Sequence, residues 1–284
     1  MSQIKVVLNP DVPPTGSDLG ITNAARRSFG VRSDWCRTDL CGDEITWVLG
    51  ESGKQLRYKD KRLLEFLARG MTADDFEVFV EKVRDLSYDE LVSDYSSMLK
   101  ELIESLWQWR NTPTHDTPFN HGFFSFEVKA PIFVARHLVK HEYLIMSEYS
   151  RRYITDDVEF YEPDMWRKAA PNKKQGSTNE PVDFTTVMSC SGLLPHEYLY
   201  DAAIEHYNEL LRCGVSPEQA RMVLPQSLMT SWTWSGTLGA FANMCKLRLG
   251  KDTQAETRYV AEKVYEELKK QFPVAAPLLV EGVL

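Results

Sequence analysis

The sequence lacks the features that mark secreted, membrane-spanning and nucleic-acid-binding proteins. No stretch approaches the roughly 18 apolar residues of a membrane-spanning helix, and the first residues, MSQIKVVLNPDVPP, contain no apolar core of a signal peptide. The net charge is −8, from 33 basic and 41 acidic residues among 284. Because binding to nucleic acid or to an anionic membrane needs clustered positive charge, we expect a protein that binds neither. The missing signal peptide and membrane span predict that it is cytoplasmic.

Cysteine is scarce, and several catalytic motifs are missing. The five cysteines form no CxxC pair, and the Cys36 to Cys41 spacing lacks the second pair of a structural zinc site. We therefore expect reduced thiols, most of them buried. The chain also lacks the phosphate-binding motif GxxxxGK[ST], the zinc motif HEXXH and any defensible Ser-His-Asp or Cys-His arrangement.

The composition is that of a folded enzyme, with 43% hydrophobic and 26% charged residues. Hydrophobic periodicity predicts strands at residues 4–8 and 122–128. It predicts a short helix around residues 24–27 and amphipathic helices over residues 60–110. Pro131 predicts the start of a helix that continues past the next two turns.

The second half of the chain is predicted to be mostly helical. Ser216 is predicted to cap a helix that ends before Pro225, and another helix is predicted from about Ser235 to Leu249. Asp252 is predicted to cap the last helix, and residues 169–184 are predicted to form a loop. Helices and strands that do not alternate indicate an α+β fold.

Histidines and basic residues are concentrated between His115 and Tyr153. If the helix that starts at Pro131 extends through this segment, two adjacent polar stripes run along it. The first contains Arg136, Lys140, Ser147 and Arg151, and the second contains His137, His141, Glu148 and Arg152. Such stripes favour a site for an anion such as a nucleotide phosphate, although a solvated charged face has the same pattern.

A metal site is an alternative interpretation of the same segment. His137 and His141 lie four residues apart and are followed by Glu142, and His115 or His121 could supply a third ligand. A metal-dependent hydrolase is therefore the last-ranked hypothesis for this chain. Histidines that form hydrogen bonds in a polar interior have the same spacing.

A second group of polar residues lies between Glu218 and Glu256. Arg248 closes a predicted helix at its C-terminal end, where the helix dipole favours a cation. Trp232 and Trp234 are predicted to pack in the core. The basic residues of both groups are predicted to form one cationic patch: Arg136, Lys140, Arg151, Arg152, Arg221 and Arg248.

Ordered sequence blocks in these two groups, with one near the N-terminus, resemble the motifs of one enzyme family. The blocks are residues 24–29 (AARRSF), 115–121 (HDTPFNH), 126–136 (FEVKAPIFVAR), 147–153 (SEYSRRY), 214–225 (GVSPEQARMVLP) and 247–256 (LRLGKDTQAE). They resemble the family patterns AARxSF, HxTPFEH, FxVKAPIFVAR, NExSxRY, GVxxEQARxVLP and LRxxxxAQxE. The family is that of the flavin-dependent (alternative) thymidylate synthases, ThyX.

The resemblance implies an α+β fold with an antiparallel or mixed sheet and a helical bundle. It implies a homotetramer in which several subunits build each active site. It also implies methylation of dUMP at C5 to give dTMP, with FAD carrying hydride from NADPH and methylenetetrahydrofolate donating the carbon. Residues 1–284 would form a single catalytic domain with a helical insertion at about residues 71–111.

The resemblance also assigns roles to individual residues. Arg248 matches the catalytic arginine that polarises the uracil ring and favours loss of its N3 proton. The implied substrate-binding residues are His137, Lys140, Glu148, Ser150, Arg151, Arg152, Arg221 and Arg248. The implied cofactor-binding residues are Ser28, His115, Thr117, Lys140, His141, Glu142, Glu148, Thr237 and Asn243.

This chain departs from the family pattern mainly on the flavin side. The family motif Arg-His-Arg is Lys140-His141-Glu142 here, and Thr237, Gly239, Asn120 and Ser147 replace Asn, Arg, Glu and Asn. Glu142 reverses the charge at a position implied to face an anionic cofactor. The alternatives are therefore a UMP methylase, a pyrimidine-nucleotide hydroxymethylase and a non-catalytic nucleotide-binding homologue.

Overall fold

The strands and helices follow from a computed structural model that describes residues 3–37, 45–49, 54–70, 77–81, 97, 115–171, 177–183 and 195–281. The strands are β1 (Lys5–Leu8), β2 (Cys36–Arg37), β3 (Ile45–Leu49), β4 (Lys54–Arg57), β5 (Phe123–Pro131), β6 (Leu144–Glu148), β7 (Arg167–Ala169), β8 (Ser177–Pro181) and β9 (Met229–Thr237). The α-helices are α1 (Asp18–Arg26), α2 (Tyr58–Arg69), α3 (Ile132–Leu138), α4 (His196–Arg212), α5 (Pro217–Ala220), α6 (Leu238–Arg248), α7 (Ala255–Gln271) and α8 (Ala275–Val280), with 3-10 turns at Arg27–Phe29, Thr117–His121 and Arg221–Val223. The α+β prediction is confirmed.

The chain divides into two compact units, each assembled from three segments. The first unit consists of Met1–Pro13, Ser125–Gly236 and Leu247–Val264, and the second of Pro14–Phe124, Thr237–Lys246 and Tyr265–Leu284. Most of residues 71–111 lie outside the described residues. The single domain and its insertion therefore stay predictions.

The first unit is built on a four-stranded sheet in the order β1-β5-β9-β6. β1 pairs antiparallel with β5, and β6 pairs antiparallel with β9. Alternate residues of β9 are buried, and Trp232 and Trp234 contact each other edge to face with ring centroids 6.5 Å apart. Both tryptophans are buried, which confirms their predicted place in the core.

In the second unit, two buried carboxylates, Asp18 and Asp60, make contacts between helices. Ser17 caps α1 by accepting a hydrogen bond from the N–H of Gly20 over 3.1 Å. Asp18, which is 1% exposed, accepts hydrogen bonds from the N–H groups of Val274 and Ala275. An ion pair of 2.7 Å between Arg26 and Asp60 joins α1 to α2.

The predicted long helix after Pro131 is wrong. α3 ends at Leu138, and Tyr143 has a φ of 62°, a left-handed conformation that a continuing helix does not contain. Residues 144–148 then form β6, because their backbone groups pair with β9. The two polar stripes therefore do not lie on one helix.

Three further boundaries differ from the predictions. The helix expected from Ser235 begins at Leu238, because residues 229–237 form β9. α7 begins at Ala255, two residues later than a cap at Asp252 would place it, and α8 follows it. The loop predicted at residues 169–184 contains strands, since β7 and β8 pair antiparallel.

One of the described cysteines differs from the prediction of reduced thiols. Cys36 is disulfide-bonded, whereas Cys213 is an exposed thiol and Cys245 a buried one. Burial raises the pKa of the Cys245 thiol, so it stays protonated at neutral pH. Across the part of the chain that the structure describes, no helix is long and apolar enough to cross a membrane.

Candidate active site

A cavity of about 550 Å³ in the first unit contains the carboxylate of Glu148, and we call it the Glu148 cavity. Its polar lining residues include Arg136, Glu148, Tyr149, Ser150, Arg151, Arg221, Gln226 and Thr230. The end of β6 positions Glu148, and the N–H of Tyr149 donates to the carbonyl of Ser231 over 2.8 Å, which holds the next residues beside β9. Ser150 and Arg221, both predicted to bind the nucleotide, line this one cavity.

The carboxylate of Glu148 is oriented by a residue that the sequence analysis missed. The hydroxyl of Thr230 donates a hydrogen bond to Oε1 of Glu148 over 2.8 Å, and Thr230 is 7% exposed. This bond occupies one carboxylate oxygen, and within the described ranges of the chain no hydrogen bond involves the other. The alternating segment MTSWTWSGT could have revealed β9, and with it Thr230.

Arg151 is bound internally. Its Nη1 and Nη2 donate to the carbonyl oxygens of Asp156 and Asp157, and its guanidinium lies 5.3 Å from the ring centroid of Tyr149. The residue is 8% exposed. These contacts brace the chain after Ser150, and a direct contact between Arg151 and substrate stays a prediction.

Glu218 contacts two further basic residues predicted to bind the nucleotide, Arg152 and Arg221. Its carboxylate lies 3.6 Å from Nη2 of Arg152, and its carbonyl oxygen accepts from Nε of Arg221 over 3.3 Å. Arg152 is exposed and is not among the residues that line the Glu148 cavity. Among the described residues, no hydrogen bond involves the terminal N–H groups of Arg221.

A second cleft of the first unit, about 870 Å³ in volume, surrounds Arg248 and is called the Arg248 cleft. Its charged and titratable lining residues are His137, Lys140, Arg167, Arg248, Lys251, Asp252 and Glu256. Arg248 is the last residue of α6, as predicted. Its Nε donates to Nε2 of His141 over 2.9 Å, and its Nη2 donates to the carbonyl of His137 over 3.0 Å.

The surroundings of both histidines beside Arg248 favour the neutral ring. Burial, followed by the charges of Arg248 and Lys140, lowers the pKa of His137, and burial and Arg248 lower the pKa of His141. Nδ1 of His137 lies 3.0 Å from Oγ1 of Thr257, another residue that the sequence analysis missed. Among the described residues, no group of three or more metal-ligating side chains could hold an ion.

A groove of about 870 Å³ in the second unit contains three of the predicted cofactor residues, and we call it the Ser28 groove. The predicted residues are Ser28, His115 and Thr117, and the apolar wall includes Phe29, Leu63 and Phe66. Lys59 and Arg62 bring positive charge to the same groove. The ring of His115 stacks on Phe66, with centroids 6.2 Å apart.

Three of the departures from the family pattern contact one another in the second unit. Oγ1 of Thr237 donates to Oδ1 of Asn120 over 2.7 Å. A Cβ atom at Gly239 would lie 2.9 Å from the same oxygen, so a larger residue there would displace Asn120. Thr237, Asn120 and Gly239 are therefore a coupled set. Asn243 is exposed on α6.

The predicted single cationic patch is wrong, because the first unit divides its members. Arg136, Arg151 and Arg221 line the Glu148 cavity, whereas Lys140 and Arg248 line the Arg248 cleft. The division arises on α3 and the turn after it, since the side chains of Arg136 and His137 point into different clefts. Glu142 is exposed in that turn, between α3 and β6.

Comparison with known proteins places this chain in a family. The family model described as "Thymidylate synthase complementing protein" matches residues 57–274. The chain belongs to this family. A protein named flavin-dependent thymidylate synthase from Wolbachia pipientis wMel is 30% identical over 243 residues, which are 85% of this chain and 80% of that relative.

Other members of the family match over a shorter region. A flavin-dependent thymidylate synthase of Thermus thermophilus is 36% identical over 170 residues, so the match spans 60% of this chain and 61% of that relative. Among solved structures, the UMP/dUMP methylase PolB from Streptomyces cacaoi, bound with 5-Br dUMP, has a TM-score of 0.61 at 24% identity. That match covers 99% of this chain and 96% of PolB, so the two share the fold.

Proposed function

We propose that this protein methylates dUMP at C5 to give dTMP, with methylenetetrahydrofolate as the carbon donor, NADPH as the reductant and FAD as the cofactor, in the cytoplasm. The observation that carries the proposal is the Glu148 cavity. It brings together Glu148, Ser150 and Arg221, which come from two separate family motifs. Membership of the family and the names of the relatives support the same chemistry.

The Glu148 cavity supplies groups for a nucleotide. The guanidinium of Arg221 and the hydroxyl of Ser150 suit a phosphate, because a planar cation and a hydroxyl donate to phosphate oxygens. The oxygen of Glu148 that does not accept from Thr230 suits a hydroxyl or ring N–H donor of the nucleoside. The apolar side chains of Ile132, Leu224 and neighbouring residues exclude water from the remaining wall.

The Arg248 cleft supplies the cation for the pyrimidine. Arg248 stabilises the negative charge that develops on the uracil ring when N3 loses its proton, and this charge makes C5 more nucleophilic. The neutral ring of His137 and the ammonium of Lys140 line the same cleft and orient the base. A cation held at one position costs little reorganisation during the reaction.

The Ser28 groove fits a flavin. Its apolar wall suits the ring system, and Lys59 and Arg62 suit the pyrophosphate of an anionic cofactor. Ser28, His115 and Thr117 supply hydroxyl and imidazole groups for the polar edge of the flavin. When bound, FAD supplies the hydride that it takes from NADPH. Glu142 does not line this groove, and its negative charge in the turn after α3 would disfavour an anionic cofactor bound against it.

The proposal includes a homotetramer with active sites shared between subunits. Apart from Arg152, the predicted substrate-binding residues line two clefts of the first unit, on either side of α3. A nucleotide that contacts the Glu148 cavity of one copy and the Arg248 cleft of another would use both sets of predicted substrate-binding residues. Size-exclusion chromatography with light scattering measures the number of copies.

UMP is the second candidate substrate. PolB, whose fold this chain shares over its whole length, is named as a UMP/dUMP methylase. A UMP methylase would use the same three sites and would differ in tolerating a 2′-hydroxyl group. Comparison of kcat/KM for the two nucleotides decides between them.

The test begins with the purified protein. We expect absorbance near 450 nm from bound FAD, and NADPH oxidation that depends on both methylenetetrahydrofolate and dUMP, with mass spectrometry identifying dTMP. Arg248→Ala should abolish turnover while bound FAD remains. A colourless protein that takes up no FAD would contradict the proposal, as would a hydroxymethylated product or full activity of the Arg248→Ala variant.

A further inference from the structure

Two hydrogen bonds occupy one edge of the Arg248 guanidinium, the edge that faces sideways from the side chain. Nε donates to Nε2 of His141 over 2.9 Å, and Nη2 donates to the carbonyl of His137 over 3.0 Å. Nε–H and the parallel N–H of Nη2 form one edge of the planar group. Within the described part of the chain, the guanidinium makes no further hydrogen bond, so its terminal edge, Nη1 with the second N–H of Nη2, remains for a ligand.

The contact with His141 fixes the protonation state of that ring. An imidazole nitrogen accepts a hydrogen bond only through a lone pair, so Nε2 is unprotonated and Nδ1 carries the proton. The lowered pKa of His141, caused by burial and by Arg248, is consistent with a neutral ring. A neutral acceptor beside a permanent cation is an attractive contact, whereas a protonated ring would repel it.

The two contacts together determine where the guanidinium points. Arg248 terminates α6, and its long side chain has several rotatable bonds that one contact would leave undetermined. His141 comes from the turn after α3, 107 residues earlier in the chain. The pair therefore links the end of one helix to the turn after another and sets the direction of the terminal edge.

We propose that His141 is a positioning residue that holds the terminal edge of Arg248 toward the pyrimidine. This role differs from the flavin contact that the family resemblance implies for His141. The inference rests on the proposed function, because the group that Arg248 meets is the uracil ring. A displacement of about 1 Å at a reacting group can cost roughly 100-fold in rate, so loss of this contact should lower kcat.

The test uses two substitutions of His141 in the FAD-loaded enzyme. His141→Leu removes the acceptor and keeps an apolar side chain of similar width, and His141→Gln restores an acceptor through its amide oxygen. We expect His141→Leu to lower kcat by about 100-fold, with bound FAD and the nucleotide Kd within about threefold of the unsubstituted enzyme. The kcat of His141→Gln should be at least about tenfold higher than that of His141→Leu.

His206→Leu is the matched control, since His206 is an exposed histidine of α4 outside the three sites. It should leave kcat unchanged. Thermal melting of each variant checks folding, and His141→Gln alone decides the question if His141→Leu does not fold: it should keep more than about one tenth of kcat and bind FAD normally.

Three results would overturn the inference. The first is an unchanged kcat in His141→Leu, and the second is a glutamine variant no more active than the leucine variant. The third is loss of FAD from the variants at unchanged kcat per bound flavin, which would assign His141 to the cofactor. Failure of the proposed function looks different, since the unsubstituted protein itself would then bind no flavin or methylate no nucleotide.

Discussion

Thr230 donates a hydrogen bond from its hydroxyl group to Oε1 of Glu148, over 2.8 Å and across 82 residues of sequence. The contact joins the first part of β9 to the last residue of β6. The orientation of Glu148, a predicted site residue, therefore depends on a residue from a distant segment of the chain. The contact also leaves Oε2 as the Glu148 oxygen that the proposed substrate would contact.

We therefore predict that Thr230→Val raises the nucleotide KM by roughly 10- to 100-fold. A hydrogen bond to a charged group contributes about 1.5–3 kcal/mol, and its loss frees the Glu148 carboxylate to rotate. Steady-state kinetics with dUMP measure the effect. Thr230→Ser keeps the hydroxyl and should stay within about threefold of the unsubstituted KM. An unchanged KM in the valine variant would contradict the role given to this pair.

Arg221 is predicted to bind the phosphate of the nucleotide. Arg221→Ala should weaken dUMP binding by at least about tenfold, because a charge-assisted contact with phosphate is lost. Binding of deoxyuridine, which has no phosphate, should not change. Isothermal titration with the two ligands makes this comparison. Equal weakening of both ligands would show that Arg221 acts on the fold of the cavity and not on the phosphate.

Glu142 is predicted to limit the affinity for FAD. Glu142→Arg should lower the Kd of FAD by about tenfold, since it replaces like-charge repulsion with attraction, and the gain should shrink at high salt because the site is exposed. Fluorescence quenching of FAD during titration measures this Kd. Glu142→Gln removes the charge alone, so its Kd for FAD should lie between those of the unsubstituted protein and of Glu142→Arg. No change in either variant would place position 142 away from the cofactor.

Asp18 should make the stability of the protein depend on pH. Burial raises its pKa to about 6 from an ordinary value of 3.8, although the N–H groups of Ala275 and Val274 act in the opposite direction. The folded state therefore binds this proton more tightly than the unfolded state does. The stabilisation is fully present below pH 4 and is lost as the pH rises through about 6, a change of about 3 kcal/mol.

Urea unfolding between pH 4 and pH 7 measures this contribution. Asp18→Asn should flatten the fall in the free energy of unfolding across that range. Asp11→Asn, at an exposed position, is the matched control and should leave the pH dependence as it is. Identical slopes for Asp18→Asn and the unsubstituted protein would mean that Asp18 has an ordinary pKa in the folded state.

The local sequence predicts those elements that depend on neighbouring residues. The strand predicted at residues 4–8 is found at Lys5–Leu8, and the helix predicted after Ser216 begins at Pro217, because alternation and proline geometry act over a few residues. That helix is shorter than predicted, since α5 ends at Ala220, a 3-10 turn follows, and the side chain of Ser216 makes no capping hydrogen bond. The long helix predicted to continue from Pro131 fails for the opposite reason. Residues 144–148 form β6 because they pair with β9. The residues next to them in the sequence do not show that β9 lies beside them.

The amino-acid sequence alone specifies the chemical groups available to this protein. Its motifs identify Ser150, Arg221 and Arg248, and the departure at Glu142 is visible in the same way. The distribution and direction of these groups come from the tertiary structure. It separates Arg248 from the Glu148 cavity, and it sets His141 against Arg248 across 107 residues. Distances between side chains depend on strand pairing and helix packing between distant segments, and motif spacing does not record them.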